Sequence, residues 1–189
     1  MSFNLSIYVI CGGFNSPILT TNFYHYLTTI NNKINLNNTV IFQFDRTAPL
    51  RARTPNILPY DGYNIYQYLR KKYQNLSLYN LTFIGFSAGV IGAIIAGNLW
   101  KKNGGNVKKL LAFDGWGVPL ICDFPCYRIS HDYITHLSYL GGEKNAFYCY
   151  PSVSHEQLWH NPQNIQGWWQ IELGIKTKST ISEFLSSHL

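Results

Sequence analysis

The chain has 189 residues, of which 46% are hydrophobic and only 13% charged. That excludes a disordered chain and gives enough length for one domain with a sizeable core. The net charge of +6 is scattered, with Arg46, Arg51 and Arg53 in one loop and lysine pairs at 71–72, 101–102 and 108–109, so no nucleic-acid partner is expected.

No apolar run reaches transmembrane length. The start lacks the basic region and apolar core of a secretory signal. With four cysteines, two of them (Cys11 and Cys149) in apolar strand-like runs, a reduced, cytoplasmic protein is the expectation.

In chain order, Leu5 to Ile10 is a continuous apolar run and reads as a buried parallel strand. It ends at Cys11-Gly12-Gly13-Phe14, where two glycines permit close backbone approach. Ser16 and Pro17 open a helix whose stripe is Leu19, Phe23, Tyr26, Leu27, Ile30 and Ile34. Residues 39–44 form a second strand that ends at Asp45. A proline-punctuated loop follows, through Pro49, Pro55 and Pro59. Asp61 is the N-cap of a second helix with Ile65, Tyr68, Leu69, Tyr73 and Leu76 on one face.

Residues 81–84 are a third apolar strand that runs directly into Gly85-Phe86-Ser87-Ala88-Gly89. The small and apolar residues 90–99 then read as a buried helix. Strand, tight turn and helix around Gly-x-Ser-x-Gly is the setting of a nucleophile elbow. A side chain at position 85 or 89 would strike the neighbouring strand or helix. A fourth strand over 107–113 ends at Asp114, and a fifth over 146–150 leads to His155. The tail carries Trp159, Trp168 and Trp169, and a short helix begins near Ser179.

Strand and helix patterns alternating in this way predict an α/β fold. The expected sheet is mostly parallel, of five to six strands, with helices on both faces. One domain is expected over 1–189, with 118–145 as a short cap-like segment holding one helix near 131–140. Ligands bind beyond the C-terminal strand ends of such a sheet. Those ends deliver Gly12 and Gly13, then Asp45, Ser87, Asp114 and His155.

A serine, an acid and a histidine on successive strand ends follow the chain order of α/β-hydrolases. The chain resembles a minimal member of that superfamily, with the elbow as its strongest motif. The resemblance implies Ser87 as nucleophile, His155 as base and Asp114 as the acid that fixes the histidine tautomer. Asp132 and Asp123 are rival acids. The oxyanion donors would be the Ala88 amide and one from the turn after the first strand, Phe14 or Gly13. Where the family often has His-Gly-x in that turn, this chain has Cys11 or Gly12 in the His place.

The implied reaction is hydrolysis of a small-molecule ester or thioester through an acyl-enzyme, or acyl transfer by the same residues. Trp116, Phe124 and Tyr127 are candidates for an apolar acyl groove. The other reading is a non-catalytic binding protein on the same scaffold. No cofactor or metal is expected. Cys122-x-x-x-Cys126 with His131 lacks a second pair of close zinc ligands, and no glycine pattern fits a nucleotide loop. His25, His131, His136, His160 and His188 read as surface or hydrogen-bonded residues.

Overall fold

The computed structural model describes residues 5–45, 56–138 and 145–189. The loop arginines Arg46, Arg51 and Arg53, with Pro49 and Pro55, lie outside the described residues.

The strands are β1 (Leu5–Cys11), β2 (Thr39–Phe42), β3 (Tyr79–Phe86), β4 (Asn106–Phe113), β5 (Cys126–Ser130), β6 (Ala146–Cys149), β7 (Gln166–Glu172) and β8 (Ile175–Thr180). The helices are α1 (Pro17–Ile30), α2 (Gly62–Lys72), α3 (Gly89–Lys102), α4 (Tyr133–Leu137), α5 (His155–His160) and α6 (Ile181–His188). One eight-stranded sheet runs in the order β2-β1-β3-β4-β5-β6-β7-β8. The first six of these strands are mutually parallel, and β7 and β8 close the edge antiparallel.

The inner strands read as unbroken apolar runs because both faces are covered. Ile7, Val9 and Cys11 of β1 pack with Ile65 and Leu69 of α2 and Val90 and Ala93 of α3. The alternate residues Tyr8 and Ile10 pack on the other face with Phe23 and Leu27 of α1, Trp159 of α5 and Phe184 of α6. Asp61 caps α2 as expected, its side chain accepting from the Asn64 amide. Pro17 opens α1, but the Ser16 side chain makes no capping bond.

The sheet has eight strands rather than five or six. β5 lies inside the segment expected to form a cap, and that expectation is corrected. Residues 126–130 are an internal strand between β4 and β6, and among the described residues of the segment only 133–137 are helical. Residues 139–144 of that segment lie outside the described residues. The buried Arg128 interrupts the apolar pattern that marks a buried strand, so β5 has no legible signature. The tail likewise folds as β7 and β8, a hairpin whose outer strand is exposed over residues 175–178. Among the described residues no helix is long and apolar enough to cross a membrane.

Candidate active site

The strand order reverses between β1 and β3, which places a crevice at their C-terminal ends. Ser87 stands there with φ +55°, a left-handed conformation that is strained for a residue with a side chain. The turn around it is hydrogen-bonded and tightly packed. The Ser87 amide donates to the Phe113 carbonyl at 2.8 Å. A Cβ on Gly85 would sit 2.8 Å from Val90 Cα, and one on Gly89 only 2.2 Å from the Cys11 carbonyl oxygen. Both glycines are therefore required for the tight approach of the turn to α3 and β1.

The first turn packs directly on this elbow. A Cβ on Gly13 would lie 3.0 Å from both the Phe86 oxygen and Ser87 Cβ. The turn is held from below by the buried Gln43, whose Nε2 donates to the carbonyls of Asn15 (2.9 Å), Phe44 (3.2 Å) and Gly13 (3.3 Å). Gln43 Oε1 accepts from Thr20 Oγ1, and Thr20 Oγ1 in turn accepts from Trp159 Nε1 at 3.2 Å. The Gly12 amide is engaged by the Phe42 carbonyl at 2.8 Å. Among the described residues the Gly13 and Ala88 amides donate no hydrogen bond. Phe14 is exposed, with its ring 5.8 Å from that of Phe44 and 6.0 Å from that of Tyr60.

Asp114 follows β4 with φ +48°, and its side chain is almost wholly buried. Its Oδ2 lies 2.9 Å from His155 Nδ1. Asp114 is thus the carboxylate that meets His155, and neither rival acid does. Asp132 caps α4, accepting from the Thr135 amide, and sits 3.5 Å from His131 Nε2. Asp123 is exposed, and its backbone carbonyl accepts from Lys101. His155 begins α5, where Ser154 is the N-cap, and its ring stacks on Phe86 with centroids 4.5 Å apart. Ser87 Oγ makes no hydrogen bond to His155 among the described residues. Such bonds are often long until substrate is bound.

The sequence placed His131 among the surface or hydrogen-bonded residues and in an incomplete zinc set, not beside Asp114. Its amide donates to Asp114 Oδ1 at 2.8 Å, and its Nδ1 lies 2.9 Å from the same Oδ2 that meets His155. The Val153 amide, two residues before His155, donates to the His131 carbonyl at 3.1 Å. The position of His131 directly after a strand would have flagged it, had β5 been visible.

Burial raises the Asp132 carboxyl. The hydrogen bonds from Thr135 and the charge of His131 outweigh it and leave that carboxyl below its usual range. Burial, reinforced by Asp114 and Asp132, pushes the Cys149 thiol far up, so it remains protonated and is no rival nucleophile.

Trp116, Phe124 and Tyr127 do not form one groove. Trp116 is 73% exposed in the turn after Asp114. Phe124 is buried against α3, where a Cβ on Gly97 would touch its ring. Tyr127 is on the opposite face of the sheet against His188. Cys122 and Cys126 are joined as a disulfide, which departs from the expectation of a fully reduced chain, and Cys11 and Cys149 are the free cysteines. An open cleft of about 460 Å³ lined by Tyr150, Trp168 and Lys178 contains neither Ser87 nor His155.

No protein-family model matches the chain, and no curated protein matches it.

Proposed function

We propose that the chain is a serine hydrolase of esters or thioesters with an apolar acyl group. The observation that carries this reading is His155, bonded through Nδ1 to the buried Asp114 and stacked on the residue that precedes Ser87. That contact fixes the tautomer with its proton on Nδ1 and leaves a lone pair on Nε2. The strained φ of Ser87 is the backbone signature of an elbow.

In the first half-reaction Ser87 Oγ bonds to the acyl carbon while His155 Nε2 takes the hydroxyl proton. The carbonyl π pair moves to oxygen and faces the Ala88 and Gly13 or Phe14 amides. On collapse the bond to the leaving alcohol or thiol breaks, and His155 gives that group its proton. Water then attacks the acyl-enzyme with the same proton route, releasing the acid and restoring Ser87. An alcohol in place of water gives acyl transfer. The exposed rings of Phe14 and Tyr60 beside the first turn offer the acyl chain an apolar surface.

The test is labelling with a fluorophosphonate, which bonds to a serine activated by a working base. Labelling of the native chain, lost in Ser87→Ala and His155→Ala, is expected, followed by a preference for longer acyl chains across a panel of esters and thioesters. A folded native chain that does not label refutes catalysis and favours a binding role on the same scaffold.

A further inference from the structure

We propose that Asp114, His131 and His155 also form a binding site for a divalent transition-metal ion of the Zn²⁺ type, and that filling it switches off His155. The inhibitory half rests on the serine-hydrolase reading; the binding half does not.

Three donor atoms, one from each side chain, lie within 4.8 Å of one another. They come from the ends of three adjacent strands, β4, β5 and β6, so the backbone holds them together without a ligand. The His131 amide occupies Asp114 Oδ1 and leaves Oδ2 aimed between the two rings. The donor set is two imidazoles and one carboxylate. That set suits Zn²⁺, Cu²⁺ or Ni²⁺ and not Mg²⁺ or Ca²⁺, which require oxygen ligands. Ligands about 2.0–2.1 Å from a tetrahedral ion stand roughly 3.3 Å apart. The two 2.9 Å nitrogen–oxygen contacts must open slightly, and the donors, which stand up to 4.8 Å apart, must draw in to that spacing, a shift in which the half-exposed His155 ring slides over Phe86. The exposed side of that ring leaves water for the fourth position.

A second observation concerns the other nitrogen of His131. A metal on Nδ1 requires the ring proton on Nε2, and His131 Nε2 lies 3.5 Å from Asp132 Oδ2. Metal-bound histidines characteristically present their remaining N–H to a carboxylate, which fixes the ring and raises its basicity. Asp132 stands in that place. It is held there by the Thr135 amide, independently of the other acid.

The consequence for catalysis follows from proton count. Each neutral ring bonds the ion through Nδ1 and moves its proton to Nε2 through solvent, with no net proton lost. An imidazolium releases one. His155 then carries hydrogen on Nε2 and has no lone pair left to accept the Ser87 proton.

Zn²⁺ is titrated calorimetrically into the full chain, with Co²⁺ absorption as the spectroscopic readout. One ion per chain is expected, with the visible d–d bands of a four-coordinate site. His131→Ala keeps the backbone amide on Asp114 and should abolish both signals. Asp132→Asn should weaken binding by about 10–100-fold. His25→Ala and His160→Ala, away from the cluster, should bind as the native chain does.

Native-like binding by both His131→Ala and Asp132→Asn overturns the site, as does absence of binding at millimolar metal. Zn²⁺ should bind Ser87→Ala unchanged, so the site survives if the fluorophosphonate never labels the native chain. If the probe does label and saturating Zn²⁺ leaves its rate unaltered, the switching role is refuted. Restoration of labelling by a chelator supports it.

Discussion

Phe86 and His155 stack face to face, centroids 4.5 Å apart and planes 25° from parallel. The residue that precedes the candidate nucleophile thus forms the floor beneath the candidate base. Phe86 is itself stacked on Trp159 of the same helix as His155, so the elbow and α5 are packed as one piece. Phe86→Leu keeps the position apolar at a somewhat smaller volume and removes the stack. It should cost about 0.5–1.5 kcal/mol of stability and slow fluorophosphonate labelling. Thermal melts and labelling rates on the same samples check this, and an unchanged rate would mean that Asp114 alone orients the ring.

Asp114→Asn isolates the charge from the geometry. Asparagine tolerates the left-handed backbone that Asp114 adopts at φ +48°, so the fold should be retained. An asparagine offers His155 Nδ1 an amide in place of a carboxylate and no longer stabilises the imidazolium. A rate loss of about 10⁴-fold is expected, measured by stopped-flow labelling or ester turnover. Asp132→Asn should leave the rate within a few-fold of the native value, since Asp132 meets His131 and not His155.

Gly89→Ala tests the close approach of the elbow to β1. The added carbon would stand 2.2 Å from one backbone oxygen and 2.6 Å from the next, and backbone does not yield as a side chain tip would. About 3 kcal/mol of destabilisation is expected, with Tm lower by roughly 6–12 °C. A native-like melting curve would show that the two turns are not in contact.

Thr20→Val tests the buried chain that joins α5 to the first turn. Trp159 Nε1 and Gln43 Oε1 each lose their Thr20 partner, at about 1–3 kcal/mol for each buried polar atom left unpaired. Because Gln43 holds the Gly13–Asn15 carbonyls, labelling should slow together with the loss of stability. A melt shifted with no change in rate would separate the chain from the site.

His188 gives a pH dependence of stability. Burial lowers its pKa, the Phe184 carbonyl opposes that, and Lys109 adds to the lowering. The unfolded chain therefore takes up the proton first as pH falls. Stability is full above the unfolded value near 6.5 and is lost as pH drops from there through the folded value. Tm should fall between pH 7 and pH 5, and the fall should be shallower in His188→Gln.

The sequence by itself determined the local frame. Apolar runs, Ser16-Pro17, Asp61 and Gly-x-Ser-x-Gly fix where strands stop and helices start, because those signals act within a few residues of where they lie. The positions of Ser87, Asp114 and His155 at strand ends were legible for that reason.

What lies across the sheet was not. β5 was hidden by its buried Arg128. The exposed outer strand β8, held by β7 in an antiparallel hairpin, lacks the apolar run of a buried strand. Only the tertiary structure put Phe124, in the loop before β5, against α3 and Tyr127 of β5 on the opposite face of the sheet, since a strand's alternation cannot be assigned to faces until its neighbours are known. Only the tertiary structure, too, brought His131 to the carboxylate that meets His155. The two histidines are 24 positions apart in the chain, and their meeting is set by strand adjacency, which no local pattern encodes.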